Sequence, residues 1–252
     1  MKVVVIGGTG LIGSKAVRLL REHGHEAVPA APNTGVNTLT GEGLAEVLEG
    51  ASVVVDVSNS PSFEDEAVLN FFTTSTGNLL AAERKAGVGH HVALTIVNTD
   101  RRPDIGYFRA KVAQERLIEA SPVPFSLVHA TQFFEFGRRI ADEAAAGGGT
   151  VPMPPVLFQP IAGEEVSAVV ARTAAGAPLN GRIQIAGPEV SRMDEFFRKA
   201  LAAWGDPREV VTDPHAHYFG AEMHERDLVP DEGAATLGEI TYADWLAANP
   251  AK

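Results

Sequence analysis

The sequence predicts an α/β fold, a doubly wound parallel sheet followed by a smaller C-terminal region, and three observations carry that expectation. Short valine- and isoleucine-rich runs alternate with longer amphipathic stretches, the sequence form of repeated βαβ units. The first run ends in a glycine-rich turn that opens directly into a helical pattern. From about residue 145 the rhythm loosens, and Pro152, Pro154, Pro155 and Pro160 crowd a short span.

The expected strands are Lys2 to Ile6, His25 to Ala30, Ser52 to Val57, His91 to Val97 and Phe125 to Ala130. Most read as nearly continuous apolar runs, as strands covered on both faces should. Helical periodicity fills the intervals Leu11 to His23, Gly43 to Glu49, Glu64 to Ala86 and Tyr107 to Ala120. Ala144 to Gly149 reads as a helix end and loop. A strand-helix-strand then follows over Val156 to Ile161, Glu164 to Ala174 and Arg182 to Ala186, with a last helix from Met193 to Trp204. Trp204 and Trp245 are expected to anchor C-terminal helices, and His90 and His91 to be turn residues.

Composition narrows the function. The 252 residues carry 21 basic and 32 acidic side chains, a net charge of −11, which argues against nucleic acid as a partner. With no cysteine, disulfides, thiolate nucleophiles and cysteine-ligated metals are excluded. No apolar run approaches the roughly 18 residues that span a bilayer, and the start shows no signal-peptide pattern, so the expectation is a cytoplasmic protein without a membrane partner. Asp206 to Glu239 holds nine acidic and two basic residues and reads as a solvated surface. The His and carboxylate groups from Asp213 to His224 lack metal-ligand spacing, and no metal site is expected.

The turn after the first strand is Gly7-Gly8-Thr9-Gly10-Leu11-Ile12-Gly13. Gly8, Gly10 and Gly13 satisfy the GxGxxG spacing in the strand-turn-helix context that a dinucleotide fingerprint requires. Gly8 would permit the tight turn, Gly10 would let backbone N–H groups approach a pyrophosphate, and Gly13 would let the helix pack closely. The helix start would then offer its dipole and free amides to the phosphates. The expected fold class is thus α/β, a doubly wound parallel sheet that binds a dinucleotide, with a smaller C-terminal region after about residue 150. An acid that would hold the adenosine ribose is absent near Ala31-Pro32-Asn33-Thr34. Asn33, Thr34 and Lys15 could receive a 2′-phosphate, so NADP(H) is favoured over NAD(H). Asn59 and Ser60, after the third strand, are further candidate cofactor contacts.

Tyr107 and Lys111 share one face of a helix at i,i+4, where an ammonium can lower a phenol's pKa toward a useful range. Thr95, twelve residues earlier on a strand whose C-terminal end should face the nucleotide, could hold a substrate oxygen. The opening Val-Ile-Gly-Gly-Thr-Gly-Leu-Ile-Gly, the Tyr107/Lys111 pair and the stretch Phe125 to Phe136 together resemble the NmrA-like branch of the atypical short-chain dehydrogenases/reductases. The resemblance implies a Rossmann-type NAD(P)-binding domain over residues 1–150 and a smaller C-terminal substrate-binding region over residues 151–252 that completes the sheet and the substrate crevice; it also implies that Tyr107 is proton donor and acceptor and that Lys111 holds the nicotinamide ribose. The chain departs from that family's pattern with Thr95 in place of the usual Ser and with His129 where Arg is frequent.

Gln132 and Phe133 follow the fifth strand and, with Phe158, are the candidate substrate contacts. Their character suits a small aromatic or quinone-like molecule. The expected activity is hydride transfer to or from a carbonyl, quinone or activated double bond. The alternative is a non-catalytic NAD(P)H sensor acting through a protein partner; a homodimer is compatible with either.

Overall fold

The computed structural model describes residues 1–249. The first half follows the expected alternation closely: β1 (Lys2–Ile6), α1 (Leu11–Glu22), β2 (Glu26–Ala30), α2 (Leu44–Leu48), β3 (Val53–Asp56), α3 (Asp65–Ala86), β4 (His90–Ile96), α4 (Gly106–Glu119) and β5 (Phe125–Ala130). Then come α5 (Gly137–Ala145), β6 (Thr150–Met153), β7 (Leu157–Phe158), α6 (Gly163–Ala175), β8 (Gly181–Ala186), β9 (Ser191–Arg192) and α7 (Met193–Trp204). The chain finishes with β10 (Glu209–Thr212), β11 (His217–Tyr218), β12 (Ala221–Glu222), β13 (Ala235–Leu237) and α8 (Tyr242–Ala248). Seven strands form one parallel sheet in the order β13-β8-β5-β4-β3-β1-β2. The reversal of order between β1 and β3 is the switch point at which such sheets bind ligands beyond their C-terminal strand ends.

The chain forms two compact units, Met1–His129 with Val166–Ile183, and Ala130–Glu165 with Gln184–Lys252. In the first, register and side-chain alternation set the core. Val4 pairs with Val28 and Val54, and Ile6 with Ala30 and Asp56, so these side chains share one face of the sheet. The apolar members pack against Val36, Leu44, Leu48, Leu79 and Val88. Each fully buried Val or Leu contributes about 1.5–3 kcal/mol, which explains why strands this short are stable. Asp56 is the one carboxylate in the run Val53-Val54-Val55-Asp56, and it is buried.

His90 and His91, expected in a turn, instead open β4 and are buried. The strand begins early because both imidazoles find partners inside. His90 Nε2 is 2.8 Å from Ser126 Oγ, and His91 Nδ1 is 2.7 Å from Glu83 Oε1 on α3.

In the second unit, Trp245 packs on Phe134 at 5.7 Å between centroids. The Arg138 guanidinium lies 4.8 Å over the Trp204 ring. The strand expected over Val156 to Ile161 shrinks to the two residues of β7, paired antiparallel with β9. Pro154, Pro155 and Pro160 supply no N–H, so a longer ladder cannot form there. His215, just before β11, and Glu222 of β12 meet at 3.1 Å, both exposed, and among the described residues no group of three His, Cys, Asp or Glu is arranged to hold a metal. No helix among them is long and apolar enough to cross a membrane.

Candidate active site

The glycine turn is built by close approach. Gly7 takes the left-handed conformation, φ 77°, so the tight-turn residue is Gly7 rather than Gly8. A Cβ on Gly8 would lie 2.6 Å from the Pro29 Cα of β2, and one on Gly13 would lie 2.2 Å from the Gly7 carbonyl oxygen. These two glycines press the turn against β2 and the first turn of α1 against the loop. A Cβ on Gly10 would meet only the Gly7 oxygen, at 3.3 Å. Gly10 caps α1 without any side-chain hydrogen bond, and the first amide bonded back into the helix is that of Ser14, to the Gly10 carbonyl at 3.0 Å. The amides of Leu11, Ile12 and Gly13 therefore precede the helical ladder, the arrangement that receives a diphosphate. Ile12 and Gly13 are buried, whereas Thr9 is exposed and donates to Asn33 Oδ1 at 3.2 Å, tying the turn to the segment after β2. Thr34 spends its hydroxyl hydrogen on the Ala31 carbonyl and accepts from the Ala31 amide, both at 2.9 Å. It is a local cap rather than a ready phosphate donor. Lys15 is half-buried in α1.

Tyr107, in the first turn of α4, and Lys111, one turn on, share a helix face but serve different partners. The phenol donates to Asn59 Oδ1 at 2.9 Å, and the same oxygen accepts from the Ser60 amide at 2.9 Å. Rings of Phe63 and Phe72 flank Tyr107 at 5.3 and 6.1 Å. Ser60 is buried, its hydroxyl accepting from the Ser62 amide at 3.3 Å.

Lys111 donates to the Leu94 carbonyl at 2.9 Å and to Gln114 Oε1, and its ammonium stands 4.4 Å from the Phe72 centroid. Gln114 donates in turn to Asp56 Oδ2 at 3.0 Å. Burial lowers the Lys111 pKa to about 8, with Asp56 and Glu115 resisting that fall. Lys111, Gln114, Glu115 and Asp56 are exposed by only 3, 1, 7 and 2%.

Thr95 is also buried, near the end of β4, and donates its hydroxyl hydrogen to Glu115 Oε1 at 2.6 Å. That hydroxyl can consequently accept from a ligand but has no proton left to give. His129 Nε2 stands 3.5 Å from Glu115 Oε2, an ion-pair separation rather than a hydrogen bond. Burial works to raise the Glu115 pKa, but His129, Thr95 and Lys111 together hold it below its ordinary value.

The first unit thus holds the glycine turn, Lys15, Asn33, Thr34, Asn59, Ser60, Thr95, Tyr107 and Lys111. Gln132, Phe133 and Phe158 belong to the second, where Phe133 stacks on Phe136 at 5.4 Å and buried Phe158 packs against both Phe196 and Phe197. Sequence reasoning missed Asp56, Gln114 and Glu115. The signal for Asp56 was a carboxylate ending a buried valine run; Gln114 and Glu115 lie three and four residues beyond Lys111, where a helix brings side chains together.

No family model matches the chain. The Photosystem II assembly factor Ycf39 of Synechocystis sp. is 24% identical over 149 residues, covering 54% of this chain and 46% of that protein. The factor of the same name from Cyanophora paradoxa is 22% identical over 149 residues with the same coverage. The chain therefore spans about half the length of the curated relatives it matches. Among solved structures, MoeE5 in complex with UDP-glucose and NAD superposes with a TM-score of 0.73 at 17% identity, covering 98% of this chain and 96% of that one. DesIV, a dTDP-glucose 4,6-dehydratase from Streptomyces venezuelae with NAD and TYD bound, gives 0.73 at 15% identity, over 98 and 95% of the two chains. The Thermus thermophilus UDP-glucose 4-epimerase complex with NAD gives 0.70 at 16%, over 90 and 92%. These structures share the chain's Rossmann-type α/β fold, a central parallel sheet flanked by helices.

Proposed function

We propose that this chain is an NAD(P)H-dependent oxidoreductase of the atypical short-chain dehydrogenase/reductase type, acting on a carbonyl, quinone or activated double bond. The glycine turn carries the reading. Gly7 is left-handed, Gly13 lets α1 close onto the turn, and the amides of Leu11, Ile12 and Gly13 precede the helical ladder, a combination that fits a diphosphate. The solved neighbours described with NAD support a nicotinamide dinucleotide. Asn33, in place of an acid after β2, supports NADP(H) over NAD(H), since nothing there repels a 2′-phosphate.

When bound, the nicotinamide supplies or accepts a hydride. The chain's own residues handle the proton and the orientation. The amides of Leu11, Ile12 and Gly13 would hold the diphosphate, with Asn59 and Ser60 flanking the cofactor. Tyr107 gives a proton to the substrate oxygen in reduction and takes one in oxidation, with the Lys111 charge on the same helix face favouring its phenolate. Thr95, its hydrogen spent on Glu115, accepts from a protonated substrate oxygen. The Phe133–Phe136 stack supports an aromatic or quinone-like substrate.

A second reading is favoured by one observation: the Lys111 ammonium and the Thr95 hydroxyl are both engaged inside the protein, as suits a protein that binds NAD(P)H and signals to a partner without turnover. Titration with NADPH and NADH, followed by incubation with quinones, aldehydes and enones while nicotinamide absorbance is recorded, separates the two. Steady oxidation is the enzyme's result and tight binding with a flat trace the sensor's; no affinity for either nucleotide refutes both.

A further inference from the structure

Lys111 is enclosed on every side that its ammonium can use. Two hydrogens go to the Leu94 carbonyl and to Gln114 Oε1, and the Phe72 ring lies beside the third. The Leu94 carbonyl is available because the β3–β4 register ends at Asp56–Ala93, one residue earlier. Gln114 passes the hold onward, its amide nitrogen donating to Asp56 Oδ2 at 3.0 Å. The other Asp56 oxygen accepts from the Ser58 amide at 3.0 Å and the Ser58 hydroxyl at 2.6 Å. That amide nitrogen is one of the atoms a Cβ on Gly7 would strike first, at 2.9 Å. The Ser58 backbone thus lies against the glycine turn, next to the Val57 amide that donates to the Ile6 carbonyl at 3.0 Å, and hydrogen bonds continue from Ser58 through Asp56 and Gln114 to the ammonium.

We propose that Gln114 is the positioning residue of Lys111 and that the Asp56–Gln114 bridge couples the Gly7 turn to it, so that a diphosphate seated in the turn alters the hold on the ammonium. An amide suits this place because a carboxylate on its N–H strengthens its oxygen as an acceptor. Of the two oxygens holding Lys111, that of Leu94 is fixed in a strand, whereas that of Gln114 is on a side chain that can rotate away. The charged groups around the ammonium are Asp56 from β3 and Glu115 from α4, with His129 of β5 beyond Glu115 and the Glu83–His91 pair of α3 and β4 near Asp56. The positioning role stands on this geometry alone; the coupling also rests on the nucleotide reading above.

The test is an NMR pH titration of lysine 13Cε-labelled protein, with Lys111→Arg assigning the resonance. Gln114→Leu is expected to lower the Lys111 pKa by about one unit or more, and Gln114→Glu, which preserves shape should the leucine variant fail to fold, to raise it. Asp56→Asn is expected to lower it as well. A merely structural glutamine would change the melting temperature and leave the titration in place, and an unmoved titration in Gln114→Glu overturns the positioning role. NADPH or NADH should shift the Lys111 resonance in the wild type and not in Asp56→Asn. A nucleotide that binds by fluorescence without moving that resonance overturns the coupling. A protein that binds neither nucleotide overturns the nucleotide reading and the coupling with it, while the Gln114 titration still decides the positioning role.

Discussion

Tyr107 gives its phenolic hydrogen to Asn59 Oδ1, 2.9 Å away on the segment after β3, and thereby fixes the side chain on which the proposed proton chemistry depends. Tyr107→Phe should lower turnover by about 10²–10⁴-fold, the range for a lost general acid, while nucleotide affinity stays nearly unchanged. Asn59→Ala leaves the phenol in place without this acceptor, so its turnover should fall less. Steady-state kinetics beside a fluorescence titration measures both, and unchanged turnover in Tyr107→Phe would remove it from the mechanism.

Gly13 and Gly77 make a contrasting pair. A Cβ on Gly13 must displace the Gly7 carbonyl, whereas one on Gly77, in the middle of α3, meets nothing within 4 Å. Gly13→Ala should weaken nucleotide binding at least tenfold, about 1.4 kcal/mol. Gly77→Ala should stabilise the protein by about 0.5–1 kcal/mol and leave binding alone. Calorimetric titration and thermal melts report the two.

His90 sets an acid limb of stability. Burial, followed by the neighbouring His91, lowers its pKa from 6.5 to about 4, so the folded protein keeps it neutral. The unfolded chain takes up its proton first as pH falls. The contribution is present above pH 6.5 and is lost progressively down to about pH 4. Denaturant unfolding across this window should show the loss in the wild type and a flatter profile in His90→Gln.

His91 works in the opposite direction. Burial pushes its pKa down, but Glu83 at 2.7 Å, with Asp56 further off, outweighs burial and leaves it above 6.5. Its contribution is complete below pH 6.5 and disappears as pH rises through the elevated value. Glu83→Ala, which leaves the imidazole buried without its counter-charge, should cost about 3–5 kcal/mol. In Glu83→Gln the alkaline loss should vanish from the same denaturation series.

Thr95 and Glu115 form a buried donor–acceptor pair. Thr95→Val removes the donor from a carboxylate that remains enclosed and should destabilise by about 1–3 kcal/mol; Thr95→Ser restores the bond and should behave like the wild type in melts.

The five strands from β1 to β5 were legible within one or two residues because each is a short apolar run bounded by polar or turn residues, and local sequence suffices to mark it. β6 and β10 were not, since Thr150–Met153 contains Pro152 and finds its partner at Glu209–Thr212, a pairing with no local sign. The glycine turn was legible as a whole, but the left-handed position fell on Gly7 because Gly8 is pressed onto Pro29 of a different strand. Gln114 and Glu115 look like the solvated face of a charged helix. Only the placement of β3 and β4 against α4 reveals that they are inside.

The order in which the chain visits its two units limits how the protein can be cut. It leaves the first unit after His129, returns from Val166 to Ile183, and leaves again. A stop codon after residue 150 would strip the first unit of most of α6, whose Ser167 hydroxyl holds the Ile12 carbonyl at 3.3 Å in the opening turn of α1. Neither half is a module that one splice could transplant: a graft exchanging the second unit for a foreign one would need junctions at 129–130, 165–166 and 183–184 and would have to keep the returning stretch in place.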